Sequence, residues 1–138
     1  MIQVTENEIS LPEVLAGMKV SGSGSVVLHV GVVRPISEGK KVTSIEYLVE
    51  RKEGEKELSD IASGIKDQWE IEDIALFRRA GRLSFGEVIL LVAVSAPRHK
   101  EAFQACQWAV EKMKGMASVR KREVFEESRA SSMSPLPA

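Results

Sequence analysis

The sequence is poor in cysteine and in aromatic residues, and it has no long apolar run. Its one cysteine, Cys106, excludes a disulfide within the chain and any multi-cysteine metal site. The longest unbroken apolar stretch, Val88 to Val94, is far short of the ~20 residues that a membrane helix needs. Aromatic residues make up 5% of the chain and do not interleave with its basic stretch, which argues against a stacking platform for single-stranded nucleic acid. The opening residues, Met1 to Ser10, show no basic region followed by an apolar one, so no secretory signal is expected. The phosphate-cradling patterns GxxxxGK[ST] and GxGxxG are missing. Gly22-Ser23-Gly24 matches neither, and it precedes a strand pattern rather than a helix. No HExxH zinc pattern occurs. The expectation is a soluble, cytoplasmic protein with no membrane association.

What is present reads as one globular domain. The chain has 138 residues, 43% of them apolar and 28% charged, ordinary values that exclude disorder over the whole length. A domain of this size buries roughly two-thirds of the surface its unfolded chain exposes. Net charge is −1, but it is unevenly spread. Between Arg98 and Arg122 there are seven Lys or Arg residues against Glu101 and Glu111, so this segment carries +5 and the remainder −6. A basic stretch in an acidic chain suits an anionic partner or substrate, although a solvated helix face would look the same.

Periodicity predicts the elements. Ile2 to Val4 reads as a short strand, and Ser10-Leu11-Pro12 opens a short helix ending near Gly17. Val26 to Val33 reads as a buried strand that Arg34-Pro35 ends. Ser37 to Lys41 is expected to be a mobile polar loop, and Val42 to Glu50 a second strand. In the helix expected from Glu55 to Trp69, Leu58, Ile61, Ala62, Ile65 and Trp69 fall on one stripe. Strands follow at Ile74 to Arg79 and Glu87 to Ser95, with a turn at Ser84-Phe85-Gly86 between them. His99 to Lys114 is the longest helix, with Phe103, Cys106, Ala109, Val110 and Met113 as its apolar stripe. Val119 to Phe125 is the last strand expected. Residues 1–127 are expected to form the domain, and Ser128 to Ala138 a disordered tail. Strands in adjacent pairs between helices predict an α+β fold with an antiparallel or mixed sheet.

Several residues could carry chemistry. Lys114 continues the apolar stripe at the end of the long helix. A last-turn lysine suits the helix dipole, but one at the edge of a pocket, with its pKa lowered by partial burial or neighbouring cations, could act as nucleophile or base. Lys121 lies between Arg120 and Arg122 and points to the opposite face of the strand. The competing reading there is a charged edge strand. Arg34 sits at a strand end, where a guanidinium could grip phosphate or carboxylate. Arg98 and His99 open the long helix, either as an exposed helix start or as an anion site. His29, mid-strand between Leu28 and Val30, reads as structural. Cys106 reads as core.

Taken in order, Gly31-Val32-Val33-Arg34, Ile45-Glu46-Tyr47, Glu55-Lys56-Glu57-Leu58, Arg79-Ala80-Gly81-Arg82-Leu83, Phe85-Gly86-Glu87, Pro97 to Phe103, Glu111-Lys112-Met113-Lys114 and Lys121 to Phe125 resemble the large, catalytic subunit of molybdopterin synthase. The resemblance implies an α/β-hammerhead-type α+β fold and a homodimer. It also implies a small ubiquitin-like sulfur-carrier subunit whose C-terminal Gly-Gly tail enters the large subunit as a thiocarboxylate, giving a heterotetramer. Two sulfurs then pass to cyclic pyranopterin monophosphate (precursor Z), making molybdopterin. By the same resemblance Lys114 and Lys121 are catalytic and Arg34, with Arg98 or His99, holds the substrate's phosphate. No metal or cofactor is required for this chemistry. The family usually has His-Arg where this chain has Arg98-His99, and proline and tryptophan where it has Ser118 and Arg120. Two other functions fit the residues: a non-catalytic relative that binds the carrier, and, more weakly, a nucleic-acid module using the basic segment.

Overall fold

The computed structural model describes residues 1–34, 36–37, 39–125 and 133–137. Its elements are β1 (Ile2–Thr5), α1 (Leu11–Gly17), β2 (Ser25–Val32), β3 (Ile36–Ser37), β4 (Lys40–Val49), α2 (Arg51–Gln68), β5 (Asp73–Arg79), β6 (Gly81–Ser84), β7 (Val88–Ala96), α3 (His99–Lys114), β8 (Val119–Phe125) and β9 (Met133–Pro137). The fold is α+β, as the pairing of strands predicts. One sheet runs β1-β5-β7-β2 and is mixed, with β1 parallel to β5 and the other pairs antiparallel. The other runs β3-β4-β8-β9, with β6 also on β4, and its pairs are antiparallel.

The most apolar strand of the sequence, β7, is central and covered on both sides. Leu90, Val92 and Val94 face the main core with Leu58 and Ile65 of α2 and Ala105, Cys106, Ala109 and Met113 of α3. Leu91 and Ala93 face a second core with Val14 of α1 and Met18 just after it. Each fully buried leucine or valine here stabilises the fold by about 1.5–3 kcal/mol. Gly54 permits close approach of α2, because a Cβ there would lie 2.7 Å from the Val49 side chain and 2.9 Å from that of Val4. Gly64 does the same for α3: a Cβ would stand 2.7 Å from the Trp108 ring.

Several expectations are corrected. The strand at Ser25–Val32 is an edge strand bonded to β7 alone, so its residues are half-buried, with Val26 and Val32 exposed, rather than buried throughout. Helix α2 begins at Arg51 rather than Glu55, because the Glu50 carboxylate accepts from the Lys52 and Glu53 amides at 3.0 and 3.2 Å. The buried stripe of α3 is Ala102, Ala105, Cys106, Ala109 and Met113, while Phe103 is exposed. The expected mobile loop between Ser37 and Lys41 is a hairpin, with β3 paired to Lys40 and Lys41 and Gly39 at φ 78° in its turn. In the expected tail, Met133–Pro137 is a strand bonded along β8. Pro35, Glu38, residues 126–132 and Ala138 lie outside the described residues.

Candidate active site

A cleft of about 500 Å³ opens where the two sheets meet beneath the end of α3. Each wall has a local reason for its position. On β8, alternation turns Lys121 one way and Arg120 and Arg122 the other. Lys121 stands opposite Tyr47 of β4, and both line the cleft. Arg122 stands opposite Glu46 and pairs with it at 3.6 Å. Strand β8 lies between β4 and β9, so it is not the charged edge that competed with the functional reading.

Lys114 ends α3 and reaches the cleft from above. It is exposed there, so of the two environments considered for it, partial burial and neighbouring cations, the fold supplies the second. The turn between the lysines is pinned by Glu57 of α2, which accepts from the Ala117 and Ser118 amides at 2.9 and 2.8 Å. Burial pushes the Glu57 carboxyl up, but the hydrogen bonds from Ser118 and Ala117 outweigh it and hold it below the usual carboxylate range. Seven positions apart in sequence, Lys114 and Lys121 therefore face one cavity.

Arg34 lines the same cleft just after β2. Its neighbour Val33 is fully buried and bonded on both sides, its N–H to the Glu87 carbonyl at 3.0 Å and its carbonyl to the Gly86 N–H at 3.1 Å. That leaves Arg34 projecting from a fixed point. Gly86 takes φ 86° in the turn expected at Ser84-Phe85-Gly86.

Two lining residues were not expected. His29, read from the sequence as structural, faces the cleft on the edge strand. Burial, and then the Lys114 ammonium, push its pKa down, which favours the neutral imidazole. Arg78 lines it too, its guanidinium over the Tyr47 ring, 4.8 Å from the ring centre. Strict alternation would pair His29 and Gly31 with Val33 and turn Arg34 away, and the register shift between Gly31 and Val32 hid their common cleft; for Arg78 the signal was two adjacent arginines ending the apolar run Ile74 to Phe77. The cleft thus gathers Arg34, Arg78, Lys114 and Lys121, and among the described residues no carboxylate lines it. Such a surface suits anions.

Arg98 and His99 do not join it within this chain. They are at the opposite end of α3, whose 16 residues put about 24 Å between them and Lys114. Arg98 spends its donors on its own helix, bonding Glu101 at 2.8 and 3.2 Å, with Glu70 at 3.8 Å. Cys106 is buried, and burial pushes its thiol up to about 11, which fits packing rather than nucleophilic attack. Among the described residues, no group of three His, Cys, Asp or Glu is placed to hold a metal ion.

Fold and cleft together define an α+β domain that brings two lysines to one cation-lined cleft. A family model described as "MoaE protein" matches residues 4–116. The chain is 35% identical over 120 residues to the molybdopterin synthase catalytic subunit of Pyrococcus abyssi, covering 87% of this chain and 81% of that protein. It is 33% identical over 131 residues to the corresponding subunit of Rattus norvegicus, covering 95% of this chain and 66% of the rat protein. The crystal structure of molybdopterin synthase from Staphylococcus aureus superposes with a TM-score of 0.89 at 25% identity, covering 99% of this chain and 97% of that one. The chain belongs to the MoaE family, the catalytic subunits of molybdopterin synthase, which are transferases of molybdenum cofactor biosynthesis.

Proposed function

We propose that this chain accepts the thiocarboxylate tail of a small ubiquitin-like sulfur-carrier subunit ending in Gly-Gly, and that it transfers two sulfurs to cyclic pyranopterin monophosphate. The observation that carries the reading is the meeting of Lys114, Lys121 and Arg34 in one cleft that, among the described residues, no carboxylate lines. Both reactants are anions. Lysine ammonium groups neutralise the tail and stabilise the oxyanion that develops at the thiocarboxylate carbon as sulfur leaves. Arg34 grips the cyclic phosphate through paired N–H donors. A catalytic subunit by definition works with another subunit, and the carrier fills that place.

Arg98 and His99 can serve a cleft only from a second copy, given the length of α3. The reading therefore includes a homodimer in which the start of one α3 completes the neighbour's substrate site, and a heterotetramer once two carriers bind. The reading also takes the cytoplasm as the site of the reaction. No described helix is long and apolar enough to cross a membrane.

The test is reconstitution. Purified protein, thiocarboxylated carrier and cyclic pyranopterin monophosphate are mixed, and molybdopterin is measured. Product formation is expected. Carrier binding without product would replace this reading with a non-catalytic carrier-binding relative. Salt-sensitive binding of generic DNA or RNA without carrier binding would replace it with a nucleic-acid module.

A further inference from the structure

Two adjacent arginines of β5 are buried, and among the described residues only one has an acid. Arg79, 6% exposed, turns to the α1 side of its sheet. There it pairs with Glu87 at 3.5 Å and donates to the Glu6 carbonyl at 3.3 Å. Arg78, 5% exposed, turns to the other side and forms part of the cleft floor. Its Nη1 donates to the Met113 carbonyl at 3.4 Å, and its guanidinium lies over Tyr47. Its Nε is buried without a partner.

No carboxylate pairs with Arg78 among the described residues. Glu123 is the buried acid on β8, two positions beyond Lys121 and so on the same face. It makes no ion pair with Arg78 and does not line the cleft. The other charged residues lining the cleft with Arg78 are instead the cations Arg34, Lys114 and Lys121. Burial accordingly pushes the Arg78 guanidinium below its ordinary pKa, with the facing Tyr47 opposing the change. A buried cation with five donors, one carbonyl bond and cationic neighbours is incomplete on its own. An anion in the cleft would complete it.

We propose that Arg78 is a substrate-binding residue, the inner anchor of the cleft, whose guanidinium takes an oxyanion through paired N–H bonds. This deepens the function proposed above and rests on it for the identity of the anion. The chemistry is shared by two reactants, the cyclic phosphate of the pterin and the terminal carboxyl of the carrier tail. Tyr47 and the Met113 carbonyl hold the guanidinium plane in place, so the anchor is preorganised at the end of α3, next to Lys114.

The experiment titrates wild type, Arg78→Met and Arg78→Lys with inorganic phosphate and with a short peptide ending in Gly-Gly, by calorimetry at fixed ionic strength. Arg78→Met is expected to weaken one probe at least tenfold. Loss of phosphate binding assigns Arg78 to the pterin, loss of peptide binding assigns it to the tail, and loss of both assigns a shared subsite. Arg78→Lys keeps the charge but lacks the planar fork, and is expected to weaken the same probe severalfold. A role in packing alone would lower the melting temperature of the variants yet leave both affinities at wild-type values in the folded protein, and that result overturns the proposal. Should Arg78→Met fail to fold, Arg78→Lys decides: unchanged affinities overturn it. Neither titration needs turnover. A protein that binds anions through Arg78 but makes no molybdopterin would sink the catalytic reading and leave the anchor standing.

Discussion

At its start, α3 presents Arg98, His99 and Lys100. At its end it presents Lys112 and Lys114. Arg98 is held at 2.8 Å by Glu101 and lies 3.8 Å from Glu70, so its charge is answered locally. Lys112 rests over the Trp108 ring, 5.2 Å from its centre. Lys114 faces a cleft that Arg34, Arg78 and Lys121 share and that no acid lines among the described residues. Composition treats the two ends as one basic segment. What separates them is the position of the carboxylates, and a cluster of cations becomes a site where the fold withholds the counter-charge.

The largest expected effect falls at the acid-poor end. Lys114→Ala and Lys121→Ala should each lower sulfur transfer roughly 100- to 1,000-fold, with carrier binding retained, measured as molybdopterin formed in single turnover. Wild-type rates in both variants would erase the contrast between the two ends. Next comes Met113→Ala. Met113 is 1% exposed and its carbonyl receives Arg78. Truncation should cost about 2–5 kcal/mol in urea unfolding.

A smaller loss is expected from Glu57→Gln, which slackens the turn that aligns the two lysines. The cost should be about 1–2 kcal/mol at neutral pH, since charge-assisted hydrogen bonds are lost. The Glu57 carboxyl is held below its usual range in the folded state. Its contribution is therefore complete at pH values above the unfolded carboxyl's pKa of about 4.3 and disappears as the pH falls through the lower folded value. The gap between wild type and variant should narrow on acidification. A gap that stays constant from neutral pH to strong acid would assign the effect to something other than this carboxylate.

Much of this was legible in the sequence, and the reasons differ residue by residue. Arg34, Lys114 and Lys121 could be picked out because each stands at an element end or in a strand whose alternation is visible locally. The pinning of their turn by Glu57 was not visible, because it joins residues 60 positions apart. His29 was misread for a related reason. A run of β-branched residues looks the same in a central strand and in an edge strand, and only the sheet order β1-β5-β7-β2 shows that His29 borders open space. Arg78 and Arg79 differ by one position and are almost equally buried; which of them meets Glu87 depends on the layers above and below β5. Strands β3 and β6 span two and four residues, too few for a pattern of period two to declare itself.

Back at the acid-rich end, Arg98→Ala sharpens the comparison through KM. Its pairs with Glu101 and Glu70 are exposed, and exposed pairs contribute little to stability, so unfolding should barely change. If the start of a second copy's α3 serves the cleft, KM for the pterin should rise about three- to tenfold with kcat nearly constant, the pattern of lost uniform binding. Unchanged KM would confine this end of the helix to a surface role.

The smallest effect is expected at Phe103, and it tests how the helix was read. Aligned with Cys106 and Val110, Phe103 looks like the first residue of the apolar stripe. In the fold that place belongs to Ala102, which is fully buried, while Phe103 is 60% exposed. The stripe is rotated by one residue because the small side chains Ala102, Ala105 and Ala109 let α3 lie close against the sheet, where a phenyl ring would hold it off. Phe103→Ser should then change unfolding free energy by no more than about 0.5 kcal/mol, against several for Met113→Ala on the buried side. A loss of stability comparable to that of Met113→Ala would mean that Phe103 is covered in solution. Among the described residues nothing covers it, so a cover supplied by a second molecule would show as a loss that grows as the protein is diluted.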